Sequence, residues 1–165
     1  FEHVLEAFFY AKKKIPNLRL EVIGSGDGVY FENIKNRIKN YEFKKDIKMH
    51  GAIFSDKKKQ EIMKKAHYLC AASVREGWGI IISEAGKSGL PSIVYNVNGL
   101  KDSTNYGKSG VIIKPRIKSM AKAIVRYAEI INTNKYKTLC YEAKKFLDEV
   151  NIEKTINVVT NLINK

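Results

Sequence analysis

HYLCAASVREGWGIIISEAGKSGLPSIVYNV, residues 67 to 97, contains the alternation on which the fold turns. Two apolar runs, 67 to 73 and 91 to 97, are too short for helices and are rich in strand-forming side chains, while the stretch from about 80 to 89 between them has helical spacing. Strand, helix, strand requires two parallel strands joined by a right-handed crossover. The near-continuous apolar character of YLCA and SIVY predicts strands covered on both faces.

The same alternation extends outward. LRLEVIG (18 to 24), DIKMHGA (46 to 52) and GVIIKP (110 to 115) read as further strands, with helical patterns at about 29 to 40 and 55 to 65. Five strands separated by helices predict an α/β domain: a Rossmann-like, doubly wound parallel sheet. After Pro115 only helical patterns follow, at about 117 to 131, 135 to 149 and 152 to 164, so residues 116 to 165 are expected to form a C-terminal helical tail. The opening FEHVLEAFFYAKKK already has helical spacing (Val4, Leu5, Phe8, Phe9), which gives the expectation of a domain truncated ahead of its first helix.

All 165 residues fit one domain with one substantial core. Thirty Lys and Arg against 17 Asp and Glu give a formal charge of +13, which favours anionic company: nucleotide phosphates, lipid headgroups or nucleic acid. The lysines come in short runs (Lys12 to Lys14, Lys57 to Lys59, Lys144 to Lys145) that read as solvated faces. No stretch approaches the roughly 20 apolar residues that cross a bilayer, and the start lacks the order of a signal peptide. The expected location is cytoplasmic, with peripheral contact at the inner membrane face as an extension of it. Cys70 and Cys140 read as buried free thiols. The three histidines, His3, His50 and His67, have no metal-ligand spacing, and neither a metal nor a cofactor is expected.

In an open parallel sheet, ligands sit beyond the carboxyl ends of the strands, so the loops at 24 to 28, 51 to 55, 73 to 80 and 96 to 101 converge on a site. The loop after HYLCAAS carries the most chemistry. With a helix starting near Gly79 or Ile80, Glu76 stays in the loop and Glu84 lies about one turn into the helix, facing the same crevice. Gly77 and Gly79 leave backbone N–H groups at the helix N-terminus, where a diphosphate is favoured. Carboxylates beside such amides accept strong hydrogen bonds from sugar hydroxyls. On spacing alone, Glu76 could equally be a helix-start carboxylate and Glu84 a surface residue.

The segment REGWGIIISEAGKSGLPSIVYNVNGLKDS resembles the donor site of the retaining, GT-B-fold glycosyltransferases of family four, the glycosyl transferases group 1. The matching positions are Glu76-Gly77-Trp78-Gly79, Glu84-Ala85, Gly89-Leu90-Pro91 and Gly99-Leu100-Lys101-Asp102, and the likeness extends to VIGSG (22 to 26), residues 50 to 73, GKSGVIIKP (107 to 115) and FLDEVNIEK (146 to 154). The resemblance implies one half of a GT-B fold that binds a nucleoside-diphosphate sugar without metal and retains anomeric configuration. It implies that Glu76 holds hydroxyls of the transferred sugar as the catalytic-site carboxylate, acting as orienter and not nucleophile. Gly77, Trp78, Gly79, Ile80 and Ile81 would line sugar and phosphates. Glu84 would take the ribose hydroxyls, Gly24 and Gly26 would turn close to the phosphates, and Gly51, Ala52 and Ile53 would border the base. A glycan or lipid-linked acceptor would be bound by an N-terminal half.

The family also begins this half with a central strand and an Arg and Lys that clamp the diphosphate. Neither stands ahead of Phe1, so a gap in the sheet and an inactive isolated fragment are expected. Trp78 and Gly86 stand where the family has Phe and Met.

Two rival readings remain. VIGSGDGVYF approaches a dinucleotide fingerprint, with Asp46 as ribose carboxylate of an NAD-type domain, but Gly24-x-Gly26-x-Gly28 misplaces the third glycine. A basic, non-catalytic module would meet anionic lipid or nucleic acid; no helix-turn-helix, zinc or stacking motif supports nucleic acid.

Overall fold

The computed structural model describes residues 1 to 150, so the helix expected at 152 to 164 lies outside the described residues. In chain order the elements are α1 (Glu2–Lys12), β1 (Leu20–Val22), α2 (Gly28–Lys39), β2 (Ile47–Met49), α3 (Asp56–Met63), β3 (Leu69–Ala71), α4 (Ile80–Lys87), β4 (Ser92–Tyr95), α5 (Asn98–Ser103), β5 (Gly110–Ile113), α6 (Ile117–Ala128) and α7 (Asn134–Glu149). All five expected strands form, each shorter than its apolar run. The helix α5 was not expected: it has six residues, with Gly99 at its second position, and is held by the buried side chain of Leu100 more than by helix propensity.

Every strand pair is parallel, but the strands form two sheets, β1-β2 and β3-β4-β5. This is the doubly wound order 3-2-1-4-5-6 with its first strand left out. Among the described residues, β1 pairs along one edge with β2 and β3 along one edge with β4.

The core explains how two half-sheets stay together. Val4 and Ala7 of α1 pack into one apolar cluster with Ile93, Val94, Val111 and Met120, under β3-β4-β5 and α6. Leu5 and Phe8 of the same helix pack into a second cluster with Ile34, Ile38 and Ile47, under β1-β2 and α2. Leu20 of β1 touches both. All four residues of β4 are buried, as its apolar run predicts for a strand covered on both faces.

Two sequence expectations are corrected here. Lys12 is not part of a solvated run: it is 3% exposed, its Nζ lies 2.8 Å from Asp46 Oδ2 and donates to the Leu18 carbonyl at 2.9 Å and to the Pro16 carbonyl, while Lys13 and Lys14 are exposed. A buried ammonium needs such partners, because its desolvation is otherwise prohibitive. Asp46 is thereby tied to the end of α1 through its Oδ2. The cysteines are free, yet both residues are only partly buried; the surroundings of Cys70 nonetheless desolvate its thiol and push its pKa up to about 12.

The substitution at Gly86 has a packing reason. A Cβ there would meet the Ala143 carbonyl oxygen at 2.9 Å and Leu147 Cγ at 3.0 Å, so the glycine lets α7 close directly onto α4.

Lys12→Ala is expected to destabilise the fold by about 2–3 kcal/mol, short of the roughly 3–5 kcal/mol of a wholly buried pair because the stranded Asp46 carboxylate keeps some access to water. Lys13→Ala is expected to stay within about 0.5 kcal/mol of wild type. Urea unfolding of the two variants checks both.

Candidate functional site

The loops that leave the carboxyl ends of the strands are tied to one another by specific contacts. Gly24 N–H donates to the Gly51 carbonyl at 2.9 Å, joining the loop after β1 to the loop after β2. At the strand ends beneath them, His50 is hydrogen-bonded to Glu21, so this histidine has a structural partner. The loop after β3 is pinned from the other side by α5. A Cβ on Gly99 would stand 2.3 Å from the Glu76 carbonyl oxygen and 2.6 Å from the Gly77 carbonyl carbon. Only a glycine permits so close a backbone approach. The buried Gly79 is packed against side chains instead: a Cβ there would meet Ile82 Cδ1 at 2.7 Å, and Ser103 Oγ and Leu100 Cδ2 of α5 at 2.9 and 3.1 Å.

This interlock presents the N-terminus of α4. The helix starts at Ile80 with Gly79 as its cap and no side-chain cap. Ile82 and Ser83 N–H both donate to the Gly79 carbonyl, at 2.8 and 3.2 Å. Among the described residues, the amides of Gly77, Trp78, Gly79 and Ile81 donate to no backbone carbonyl. The Ile80 amide, expected with the free donors, is turned back onto the Trp78 carbonyl at 2.9 Å. The Trp78 indole Nε1 donates to Ser83 Oγ at 3.0 Å, which fixes the ring against the first turn of α4. Unpaired amides at an uncapped helix N-terminus favour an anion.

Glu76 is exposed beside these amides, and among the described residues its carboxylate meets no partner. Glu84, the fifth residue of α4, is engaged: its Oε1 accepts from Lys59 Nζ of α3 at 2.5 Å. Lys59 also reaches Asp56 Oδ1 at 3.0 Å. These residues line a small cavity between α3 and α4, together with Gln60, Met63 and Lys87. The hydrogen bonds to Glu84 and then to Asp56 push the Lys59 pKa up, and the bond to Lys59 holds that of Asp56 down. The sequence treated Lys59 as one of a solvated run; Lys57 and Lys58 are exposed, but the Lys59 side chain keeps only 19% of its exposure. Its spacing of three from Asp56 was the available signal. Ala52 and Phe54 are exposed on the Gly51 to Ser55 loop, Phe54 at 94%. Among the described residues no cluster of three or more His, Cys, Asp or Glu could hold a metal ion, and no helix is long and apolar enough to cross a membrane.

The family model described as Glycosyl transferases group 1 matches residues 1–146. The chain belongs to the group 1 glycosyl transferases. A relative in the family's chemistry is the poly(glycerol-phosphate) alpha-glucosyltransferase of Bacillus subtilis, 29% identical over 125 residues, which are 74% of this chain and 18% of that protein. The sucrose-phosphate synthase of Thermosynechococcus elongatus superposes with a TM-score of 0.81 at 20% identity, over 97% of this chain and 41% of that one. The pneumococcal O-GlcNAc transferase GtfA, in complex with UDP and GlcNAc, superposes with a TM-score of 0.80 at 20% identity, over 99% and 32%. These likenesses show the fold, one Rossmann-like half of a GT-B architecture. The group 1 domain thus spans well under half the length of each of these proteins.

Gly99→Ala is expected to destabilise the group 1 domain by about 1–3 kcal/mol, since the methyl must displace the backbone at Glu76 and Gly77. Gly77→Ala, where a Cβ meets nothing within 4 Å, is expected to cost less than about 0.5 kcal/mol. Thermal and urea unfolding of the pair separates packing from loop conformation.

Proposed function

We propose that this domain is the donor-binding half of a retaining glycosyltransferase that uses a nucleoside-diphosphate sugar. The observation that carries the reading is the uncapped N-terminus of α4, where unbonded amides of Gly77, Trp78, Gly79 and Ile81 lie next to the unpartnered Glu76 carboxylate. Amides of this kind stabilise a diphosphate and its charge as it departs; the carboxylate orients hydroxyls of the transferred sugar. Glu84 takes the ribose hydroxyls. The Gly24 and Gly26 turn borders the phosphates, and Gly51 to Ile53 border the base, which is uracil by analogy with the UDP bound to the pneumococcal relative.

The acceptor, a glycan or lipid-linked molecule, belongs to a separate half in this reading, and a strand from a preceding segment fills the place between β1 and β3. Transfer requires that half, so the domain alone binds donor and does not turn it over. Net charge of +13 suits a protein that works beside an anionic membrane surface.

Calorimetric titration with UDP, GDP, ADP and NAD tests the proposal. UDP is expected to bind in preference to the other three. Glu84→Gln is expected to weaken UDP by about tenfold or more, the size of a hydrogen bond to a charged acceptor. Glu76→Gln is expected to leave UDP unchanged and to weaken UDP-sugar relative to UDP. Preferential binding of NAD, or indifference of every nucleotide to Glu84→Gln, overturns the assignment.

A further inference from the structure

We propose that Lys59 is a positioning residue for nucleotide recognition: its ammonium clamps one oxygen of Glu84 so that the other is presented to a ribose diol. The inference rests on the reading of Glu84 as the ribose acceptor and adds a residue from a different helix to it.

The geometry is specific. Lys59 Nζ sits 2.5 Å from Glu84 Oε1 and 3.0 Å from Asp56 Oδ1, so two of its three protons are committed to two carboxylates on α3 and α4. The Glu84 bond engages Oε1 and leaves Oε2 with its acceptor capacity. The side chains of Lys59 and Glu84 keep 19% and 32% of their exposure, against 80% for Asp56. The shielded member of the triad is therefore the lysine, and the partly open one is the carboxylate with an oxygen to offer.

A glutamate on a helix has three side-chain torsions to fix before its free oxygen can accept from a diol. Contact with a lysine that Asp56 also holds fixes them in advance. The anchoring element is itself well placed: Ser55 caps α3, its Oγ accepting from Lys58 N–H at 3.3 Å, and Asp56 lies in the first turn with Lys59 three residues on, over the same face. α3 also follows directly from the Gly51 to Ser55 loop assigned to the base. The ribose clamp and the base-bordering loop then belong to one continuous piece of chain. Lys87, the other cation on this cavity, is exposed, and no ion pair joins it to Glu84 among the described residues.

The test compares UDP with 2′,3′-dideoxy-UDP by calorimetry on this chain, because only contacts to the ribose hydroxyls change the ratio of the two affinities. Wild type is expected to prefer UDP by about tenfold. Lys59→Met is expected to bring the ratio towards one while dideoxy-UDP affinity stays within about twofold, and Lys59→Arg is expected to restore most of the preference. Circular dichroism and urea midpoints accompany each variant, and Asp56→Asn, which loosens the anchor without touching Glu84, is expected to give an intermediate ratio if Lys59→Met fails to fold. A Lys59→Met protein that keeps the wild-type ratio, or weakens both nucleotides equally, overturns the positioning role. Glu84→Gln separates the two levels: if it too keeps the wild-type ratio, the ribose assignment of Glu84 falls; if it abolishes the ratio and Lys59→Met does not, only the role of Lys59 falls. A wild-type chain that binds neither nucleotide overturns both.

Discussion

The fold depends on one helix serving two cores. The two half-sheets share no strand pairing among the described residues, so continuity between them comes from side-chain packing, by Leu20 of β1 and above all by α1, whose Val4 and Ala7 enter one apolar cluster and whose Leu5 and Phe8 enter the other. Consecutive positions on a helix point about 100° apart, so a helix apolar at 4, 5, 7, 8 and 11 is suited to burial on a broad arc. Its last turn then carries the buried Lys12, which binds Asp46 just ahead of β2. Apolar burial and the part-buried Lys12–Asp46 ion pair at the helix end together hold β1-β2 in place. The site depends on that placement, because the loops after β1 and β2 come from one half-sheet and those after β3 and β4 from the other.

Within that frame the loop after β3 is shaped by what is absent from its side chains. Gly99 admits the backbone of Glu76 and Gly77 at a distance no alanine allows, and Gly79 leaves room for the side chains of Ile82, Ser103 and Leu100. The loop can therefore lie flat on α5 and direct its amides outward at the start of α4. Charge follows the same division of labour. The amides stay unpaired while the carboxylate inside α4 is partnered by a lysine from α3. A part-buried pair of this kind contributes little net stability once desolvation is counted, so its value lies in fixing a geometry.

The strand-helix-strand unit from 67 to 97 was legible because both of its periodicities are strong and its loop is rich in glycine. The family motif, read over most of the chain, was equally plain. Three features were not. The helix α5 is too short for a periodic signal and owes its existence to tertiary burial of Leu100. The burial of Lys12 is written in contacts 34 residues apart in sequence, Lys12 to Asp46, which no local pattern reveals. The engagement of Glu84 by Lys59 joins two helices, so the sequence placed Glu84 in an open crevice and Lys59 on a wet surface. Each miss concerns a residue whose environment is set by a distant element.

The unpaired edges of β1 and β3 have a thermodynamic corollary. A strand entering between them would gain hydrogen bonds along both of its edges. Its docking would thus convert two weakly linked units, joined chiefly through α1, into one cooperative unit, with the loops of both halves rigidified in the same step. Where both edges are paired, the completeness of the sheet and the order of the loops after β1 and β3 would be coupled.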